Sequence, residues 1–352
     1  MMLINKNSLS VEMKGIKIIK KNANKLRTRL IKEKQLCTSY KVHSDDEYVY
    51  MPLITEYDEK FINSLLDEFN VSVEDYEFKH AQYRPTNFLD FLDDKISEEE
   101  MEEIRKSFDV IGDIVILEIP PELEDKKKVI GEAALKFTKR RSVYYKKSKI
   151  QGVTRTRKLE FLAGVDDLET IHKEFGIRFK LNPSTVYFSP RLATERSRIV
   201  DEVKEGEVII DFFAGIGSFP ISIAHVKDAK IYGVDINSEA IKYMHDNIKL
   251  NKLVGEVIPI EGDINNVIDE LPLADRIIMN LPGTAKDFLE IAINHLKCGG
   301  ILNYYEFSSD YNNVIERVEN LAGNHKTSVL DIRKVKSQSP GVWHFGLSIK
   351  IE

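Results

Sequence analysis

The sequence predicts an α/β protein: a doubly wound, mostly parallel sheet of seven strands with a terminal antiparallel hairpin, preceded by two smaller α+β domains. Three observations predict it. From Val208 onward, apolar runs of about five residues alternate with helical patterns, which is how strand–helix–strand units of a parallel sheet read. Near the end, Val329 to Val335 and Trp343 to Ile349 flank a Ser339-Pro340-Gly341 turn, as a strand pair whose last member inserts antiparallel into the sheet. At 352 residues the chain is long for one hydrophobic core, so other domains must accompany this one.

Taken in order, residues 1–80 form the first domain. Gly15 to Ile19 and Tyr48 to Pro52 read as strands around a basic amphipathic helix from Asn22 to Lys34, and a polar, acidic stretch from Asp58 to Phe78 follows. The Arg84-Pro85 step resets the chain, because the residue before proline is pushed out of helical geometry. Residues 81–185 form the middle domain. Phe108 to Pro120 has the β-branched density of two short strands around Gly112, and a helix spans Glu124 to Phe137. Strands at Glu160 to Leu162, His172 to Glu174 and Thr185 to Ser189 complete it.

Residues 186–352 form the third domain. Its strands are Val208 to Phe212, Lys230 to Val234, Val257 to Ile260, Arg276 to Met279 and Ile301 to Tyr305. Its helices are Phe219 to Val226, Ser238 to Leu250, Thr284 to Leu296 and Tyr311 to Leu321.

Composition narrows the function. With 42% hydrophobic and 31% charged residues the chain is an ordinary globular protein. No apolar run approaches the ~20 residues of a membrane span and no signal-peptide core precedes Lys25, so a cytoplasmic protein without membrane attachment is expected. Cys37 and Cys298 stand far apart with no ligand cluster around either, which argues against disulfides and metal. The net charge of -6 speaks against nucleic acid, but it conceals a local field. From Lys136 to Lys158 there are ten basic residues and no acid. Tyr144 and Tyr145 lie within that run and offer stacking surfaces, a pattern that favours RNA contact over a merely solvated face. A second basic run, Lys14 to Lys34, fits either reading.

The cofactor signal lies at successive strand ends. The first strand closes in Asp211-Phe212-Phe213-Ala214-Gly215-Ile216-Gly217, where Gly215 and Gly217 let the backbone turn tightly beneath a ligand. About twenty residues on, Gly233-Val234-Asp235-Ile236 closes the second strand with an acid able to accept from both ribose hydroxyls of an adenosine. The third strand closes in Gly262-Asp263-Ile264, with Asp263 placed to receive the adenine amino group. A pyrophosphate would want a third glycine and a bare helix N-terminus. The chain lacks that glycine, which favours S-adenosylmethionine over a nicotinamide dinucleotide. Any one of these acids is also what a helix cap requires; it is their joint appearance that points to a cofactor.

The fourth strand closes in Met279-Asn280-Leu281-Pro282, and Val186-Tyr187-Phe188-Ser189-Pro190-Arg191-Leu192-Ala193-Thr194-Glu195-Arg196 lies just upstream of the domain. With Gly152-Val153-Thr154-Arg155-Thr156-Arg157, Phe161-Leu162-Ala163-Gly164 and the glycine loop, this combination resembles the archaeal and eukaryotic tRNA (guanine-37-N1)-methyltransferase family, from about Met13 to the C-terminus. The resemblance implies a class I methyltransferase, Rossmann-like fold, S-adenosylmethionine as cofactor, and a monomeric enzyme that methylates N1 of guanosine 37 in tRNA. It makes Glu195 the base that removes the N1 proton, Arg155 the cation facing guanine O6, and Asn280 the group that orients the base. It places Tyr187 and Gly215 beside the cofactor, Arg196 on its carboxylate end, and Asp235, Ile236, Asp263 and Ile264 around its adenosine. The N-terminal domain would read the outer corner of the tRNA. Gly283, and Ala193-Thr194, depart from the family pattern. Two alternatives stay open: a bifunctional relative that also C-methylates a wyosine precursor, and a non-catalytic RNA-binding protein with a vestigial fold.

Overall fold

The computed structural model describes residues 10–81, 85–92, 95–148, 152 and 156–352. The chain divides into two compact units, Met1–Thr86 and Asn87–Glu352.

The first unit contains β1 (Ser10–Ile19), α1 (Lys20–Lys32), β2 (His43–Ser44), β3 (Tyr48–Pro52), α2 (Glu59–Phe69) and β4 (Ser72–Lys79). Its antiparallel sheet has the order β2-β3-β1-β4. Leu26 and Leu30 of α1 and Ile62 and Leu65 of α2 bury against Ile16, Ile18 and Met51 of the sheet. The acidic stretch Asp58 to Phe78 is thus a helix and a strand. Asp58 caps α2 by accepting from the N–H groups of Lys60 and Phe61, and Asn70 ends it in the left-handed region. Packing Leu26 and Leu30 inward leaves Lys20, Lys21, Lys25, Arg27 and Lys32 exposed on α1.

The second unit opens with α3 (Glu98–Glu103), β5 (Asp109–Ile111), β6 (Ile114–Leu117), α4 (Lys127–Thr138), β7 (Ser142–Lys146) and β8 (Leu159–Gly164). The strands form a mixed sheet, β5-β6-β7-β8, in which α4 crosses over between the parallel strands β6 and β7. A hairpin follows, β9 (Thr170–Glu174) and β10 (Ile177–Leu181). Strand β7 corrects one expectation. It is central and covered on both faces, so Tyr144 and Tyr145 are buried at 1% and 6% exposure and offer no stacking surface. Their hydroxyls donate to Asp166 and Glu124. The basic run is also partly neutralised: Arg141 pairs with Asp113 and Asp167, Lys146 with Asp109 and Glu118, and Lys147 with Glu160.

The expected strand at Thr185 to Ser189 is absent. Asn182 drives a turn there, because its carbonyl accepts from the N–H groups of both Thr185 and Val186.

The remaining elements are α5 (Ala193–Glu202), β11 (Val208–Asp211), α6 (Ser218–Val226), β12 (Lys230–Asp235), α7 (Ser238–Leu250), β13 (Glu256–Glu261), α8 (Ile264–Val267), β14 (Ala274–Met279), α9 (Leu289–Asn294), β15 (Leu296–Ser308), α10 (Tyr311–Ala322), β16 (Thr327–Ser339) and β17 (Val342–Ile351). The strand order is β13-β12-β11-β14-β15-β17-β16, with β17 antiparallel to both neighbours, as the terminal turn implied. The order reverses between β11 and β14, and a crevice opens at the carboxyl ends of strands where it does.

One apolar core joins the parts of this unit. Ile114 and Tyr144 of the mixed sheet, Phe179 of the hairpin, Ile199 of α5 and Ile209 of β11 belong to the same buried cluster.

Candidate active site

The crevice holds a cavity of about 590 Å3, built from the ends of β11, β12, β13 and β14. Between β11 and α6 the backbone enters the left-handed region at Gly215 (φ 57°) and Gly217 (φ 82°). A Cβ on Gly217 would lie 2.6 Å from Cγ of Met244, so this turn tolerates no side chain. The Asp235 carboxylate ties the end of β12 to the loop: Oδ2 accepts from the Gly215 N–H at 2.7 Å and Oδ1 from the Asn237 N–H at 2.9 Å. Burial raises its pKa. Asp263 caps α8 at the cavity edge, accepting from the Asn265 backbone and side chain. As caps and ties these acids behave as any strand-end acids do, yet both also line the cavity.

The structure brings together most residues chosen from sequence. Tyr187, Arg196, Gly215, Asp235, Ile236, Asp263, Ile264 and Asn280 all line this one cavity. The apolar walls from Ile236, Ile264, Leu281, Phe213 and Phe288, with carboxylates at the rim, suit a nucleoside without phosphates. Beneath the glycine loop, Asp211 is wholly buried, and its Oδ2 has no hydrogen-bond partner among the described residues. Burial pushes its carboxyl up to about 8, the Phe213 N–H opposing and the Asp235 charge adding to the rise. A positive charge brought into the neighbouring cavity would favour the ionised form of this carboxyl.

Three expected residues differ from the rest. Arg196 lines the cavity, but its guanidinium is engaged: Nε and Nη2 bond to Oε1 and Oε2 of Glu174 at 2.7 and 2.5 Å, and Nη2 also donates to the Ser189 carbonyl. The guanidinium packs over the Phe188 ring at 5.1 Å. Glu174 was missed by sequence reading; its only local signal is the alternation that puts it on the buried face of β9 with Thr170. Glu195, in the first turn of α5, is buried and is not among the residues that line this cavity. Its Oε1 accepts from the Tyr305 hydroxyl at 2.7 Å and from Nη2 and Nε of Arg198 at 2.6 and 3.0 Å. Burial and the Glu195 charge hold the Tyr305 phenol well above its ordinary pKa. Arg155 lies outside the described residues.

A second cavity, of about 1020 Å3, adjoins the first and shares Gly152, Tyr187, Phe188, Ser189 and Asn280 with it. The mixed sheet lines one side and the terminal hairpin, through Lys336, Gln338 and His344, the other. Its basic residues are Arg105, Lys146, Lys147, Arg157, Arg191 and Lys336, against the acids Asp109 and Glu118. Both acids are already paired, Asp109 with Arg191 and Lys146, Glu118 with Arg105 and Lys146. The cleft is therefore net positive beside the nucleoside cavity, the field a polyanion requires.

Among the described residues no helix is long and apolar enough to cross a membrane, and no His, Cys, Asp and Glu cluster is arranged to hold a metal ion.

The chain is similar to known methyltransferases along most of its length. Residues 170–330 match the TRM5/TYW2 methyltransferase domain, residues 88–167 the TYW2 N-terminal domain, and residues 15–62 the tRNA methyltransferase 5 N-terminal domain. The chain is 39% identical over 339 residues to tRNA (guanine(37)-N(1))-methyltransferase Trm5b of Methanocaldococcus jannaschii, covering 96% of this chain and 98% of that one. The crystal structure of Trm5b from Pyrococcus abyssi superposes with a TM-score of 0.76 at 36% identity, covering 97% of this chain and 99% of that one. A solved complex of aTrm5 with tRNALeu superposes with a TM-score of 0.71 at 37% identity, over 96% and 99% of the two chains.

Proposed function

This chain belongs to the TRM5/TYW2 methyltransferase family, and on that basis we propose that it transfers the methyl group of S-adenosylmethionine to N1 of guanosine 37 in the tRNA anticodon loop. One observation carries the reading: the strand-end residues that suit an adenosine line one cavity, and that cavity meets a cation-lined cleft at Tyr187 and Asn280.

When bound, S-adenosylmethionine supplies a methyl group on a sulfonium sulfur, which leaves with the bonding pair as a neutral thioether. The protein does the rest. Asp235 and Asp263 would accept from the ribose hydroxyls and the adenine amino group, and Ile236 and Ile264 would supply the apolar wall for the adenine. The loop of Gly215 and the ring of Tyr187 close the cavity around the reacting end. Arg196, clamped by Glu174, presents a fixed edge to the amino-acid tail. Asn280, shared by both cavities, orients the guanine. Glu195 takes the N1 proton, which frees the in-plane pair of the ring nitrogen for attack on the methyl group, and Arg155 offsets the charge that grows on O6. The base has to leave its stack to reach this depth, and the cationic cleft holds the flanking phosphates while it does.

Residues 1–80, 81–185 and 186–352 act as the tRNA-reading, middle RNA-binding and catalytic domains of a monomeric, cytoplasmic enzyme. The exposed lysines of α1 support an RNA role for the first. The test uses labelled S-adenosylmethionine and tRNA transcripts with G or A at position 37, followed by nucleoside analysis. Label appears only on the G transcript, as 1-methylguanosine; equal labelling of both transcripts, or none of either, overturns the reading.

A further inference from the structure

Glu195 owes its orientation to residues that lie outside the cofactor cavity. Three donors converge on Oε1: the Tyr305 hydroxyl from β15 and two N–H groups of Arg198, one turn along α5. Oε2 has no hydrogen bond among the described residues and faces the Arg333 guanidinium at 4.0 Å. The carboxylate is therefore asymmetric, with one oxygen fully engaged and the other spare.

The two anchors are themselves fixed. Nη1 of Arg198 pairs with Glu202, with Asp331 at 3.3 Å and with the Ser348 hydroxyl at 3.2 Å. The Tyr305 ring has no solvent exposure. It packs against Phe219 (6.3 Å between ring centres), a wall residue of the cofactor cavity, and His344 (5.6 Å), a wall residue of the cleft. Glu195 thus hangs from a hydroxyl seated between one wall of each cavity.

We propose that Tyr305 and Arg198 are positioning residues: by holding Oε1 they aim Oε2 at the N1 proton of the guanine. The inference rests on the reading of Glu195 as the base. A free carboxylate turns about its last bond, so holding one oxygen removes unproductive orientations before the proton moves. The proton passes from N1 to Oε2, and Oε1 keeps its donors throughout. The charged and titratable groups in contact with Glu195 are Arg198 from α5, Tyr305 from β15 and Arg333 from β16; behind them Glu202 and Asp331 pair with Arg198, and His344 of β17 packs on the Tyr305 ring.

The test compares full-length Tyr305→Phe, Arg198→Lys and Glu195→Gln with the parent on the G37 transcript. Removing one hydrogen bond to a charged group lowers kcat about 10-fold or more in Tyr305→Phe. KM for tRNA, and the equilibrium dissociation constants for S-adenosylmethionine and tRNA, stay at parental values. The acid limb of the rate profile moves to higher pH, because a donor to the ionised form is gone. Arg198→Lys, which keeps a cation but loses the planar pair of donors, falls between the two and carries the test if Tyr305→Phe does not fold.

Glu195→Gln inactive while Tyr305→Phe keeps the parental kcat and pH profile overturns the proposal and leaves the base reading standing. A lower thermal midpoint in Tyr305→Phe with an unmoved profile also overturns it, since that is a structural role. Full turnover by Glu195→Gln removes the base reading and this proposal with it.

Discussion

Glu174 and Arg196 form a two-pronged ion pair at the wall of the cofactor cavity, with bonds of 2.7 and 2.5 Å and side-chain exposures of 5% and 2%. The pair joins the β9–β10 hairpin to α5, and the His172 ring on the same strand accepts from the Gly112 N–H at 3.1 Å. A continuous set of contacts thus runs from the β5–β6 turn to the cavity wall.

Removing one partner strands the other without water. Glu174→Ala is expected to lower stability by about 3–5 kcal/mol, the usual penalty for breaking a buried pair. Urea unfolding measures it, and a loss below about 1 kcal/mol would place the pair in a more solvated setting than its burial indicates.

Asp235 answers two backbone donors as well as the ligand. Asp235→Ala leaves the Gly215 and Asn237 N–H groups without that acceptor, at about 1–3 kcal/mol each where buried, and removes the ribose partner. Titration calorimetry should show S-adenosylmethionine affinity reduced about 100-fold or more. Unchanged affinity would exclude Asp235 from the cofactor site.

Gly217→Ala tests the loop itself. At φ 82° an added Cβ is strained and meets Met244 and Ile221 at 2.6 and 2.9 Å. The expected cost is about 1–3 kcal/mol of stability together with weaker cofactor binding, read by urea unfolding and calorimetry on the same preparation.

Asp211 makes stability depend on pH. Its folded pKa of about 8 lies above its unfolded value, so the folded chain binds the extra proton. The stabilisation is complete below about pH 4 and is lost as pH rises through about 8. Asp211→Asn cannot titrate and should flatten that decline. Chemical denaturation of both proteins at about pH 5, 7 and 9 checks the slope, and parallel curves would count against the assignment.

Lys336 lines the cleft and not the cofactor cavity. Lys336→Glu should weaken tRNA binding and reduce the slope of log affinity against log salt by about one, with cofactor affinity unchanged. Filter binding over a salt series decides it; an unaltered slope would place the phosphate path elsewhere.

Much of the catalytic sheet was legible because strands buried on both faces read as continuous apolar runs, and Val208 to Ile210 is one. Asp235, Asp263 and Asn280 could be placed for a related reason. A residue's position at the carboxyl end of a strand is a local property, and in a parallel sheet all such ends share one edge. Strand β7 shows the limit. Ser142 to Lys146 mixes polar and aromatic residues, so its tyrosines read as exposed until the sheet covered them.

Residue order alone determined the kinds of element, the tight turn at the glycine loop and the acids at the strand ends, because periodicity and turn chemistry act over a few neighbouring residues. Only the folded chain decided which side chains face each other. Glu174 lies 22 residues from Arg196, and Glu195 lies 110 from Tyr305. Those pairings depend on where the hairpin packs and on how the sheet orders its strands, and no local pattern encodes a contact made across that distance.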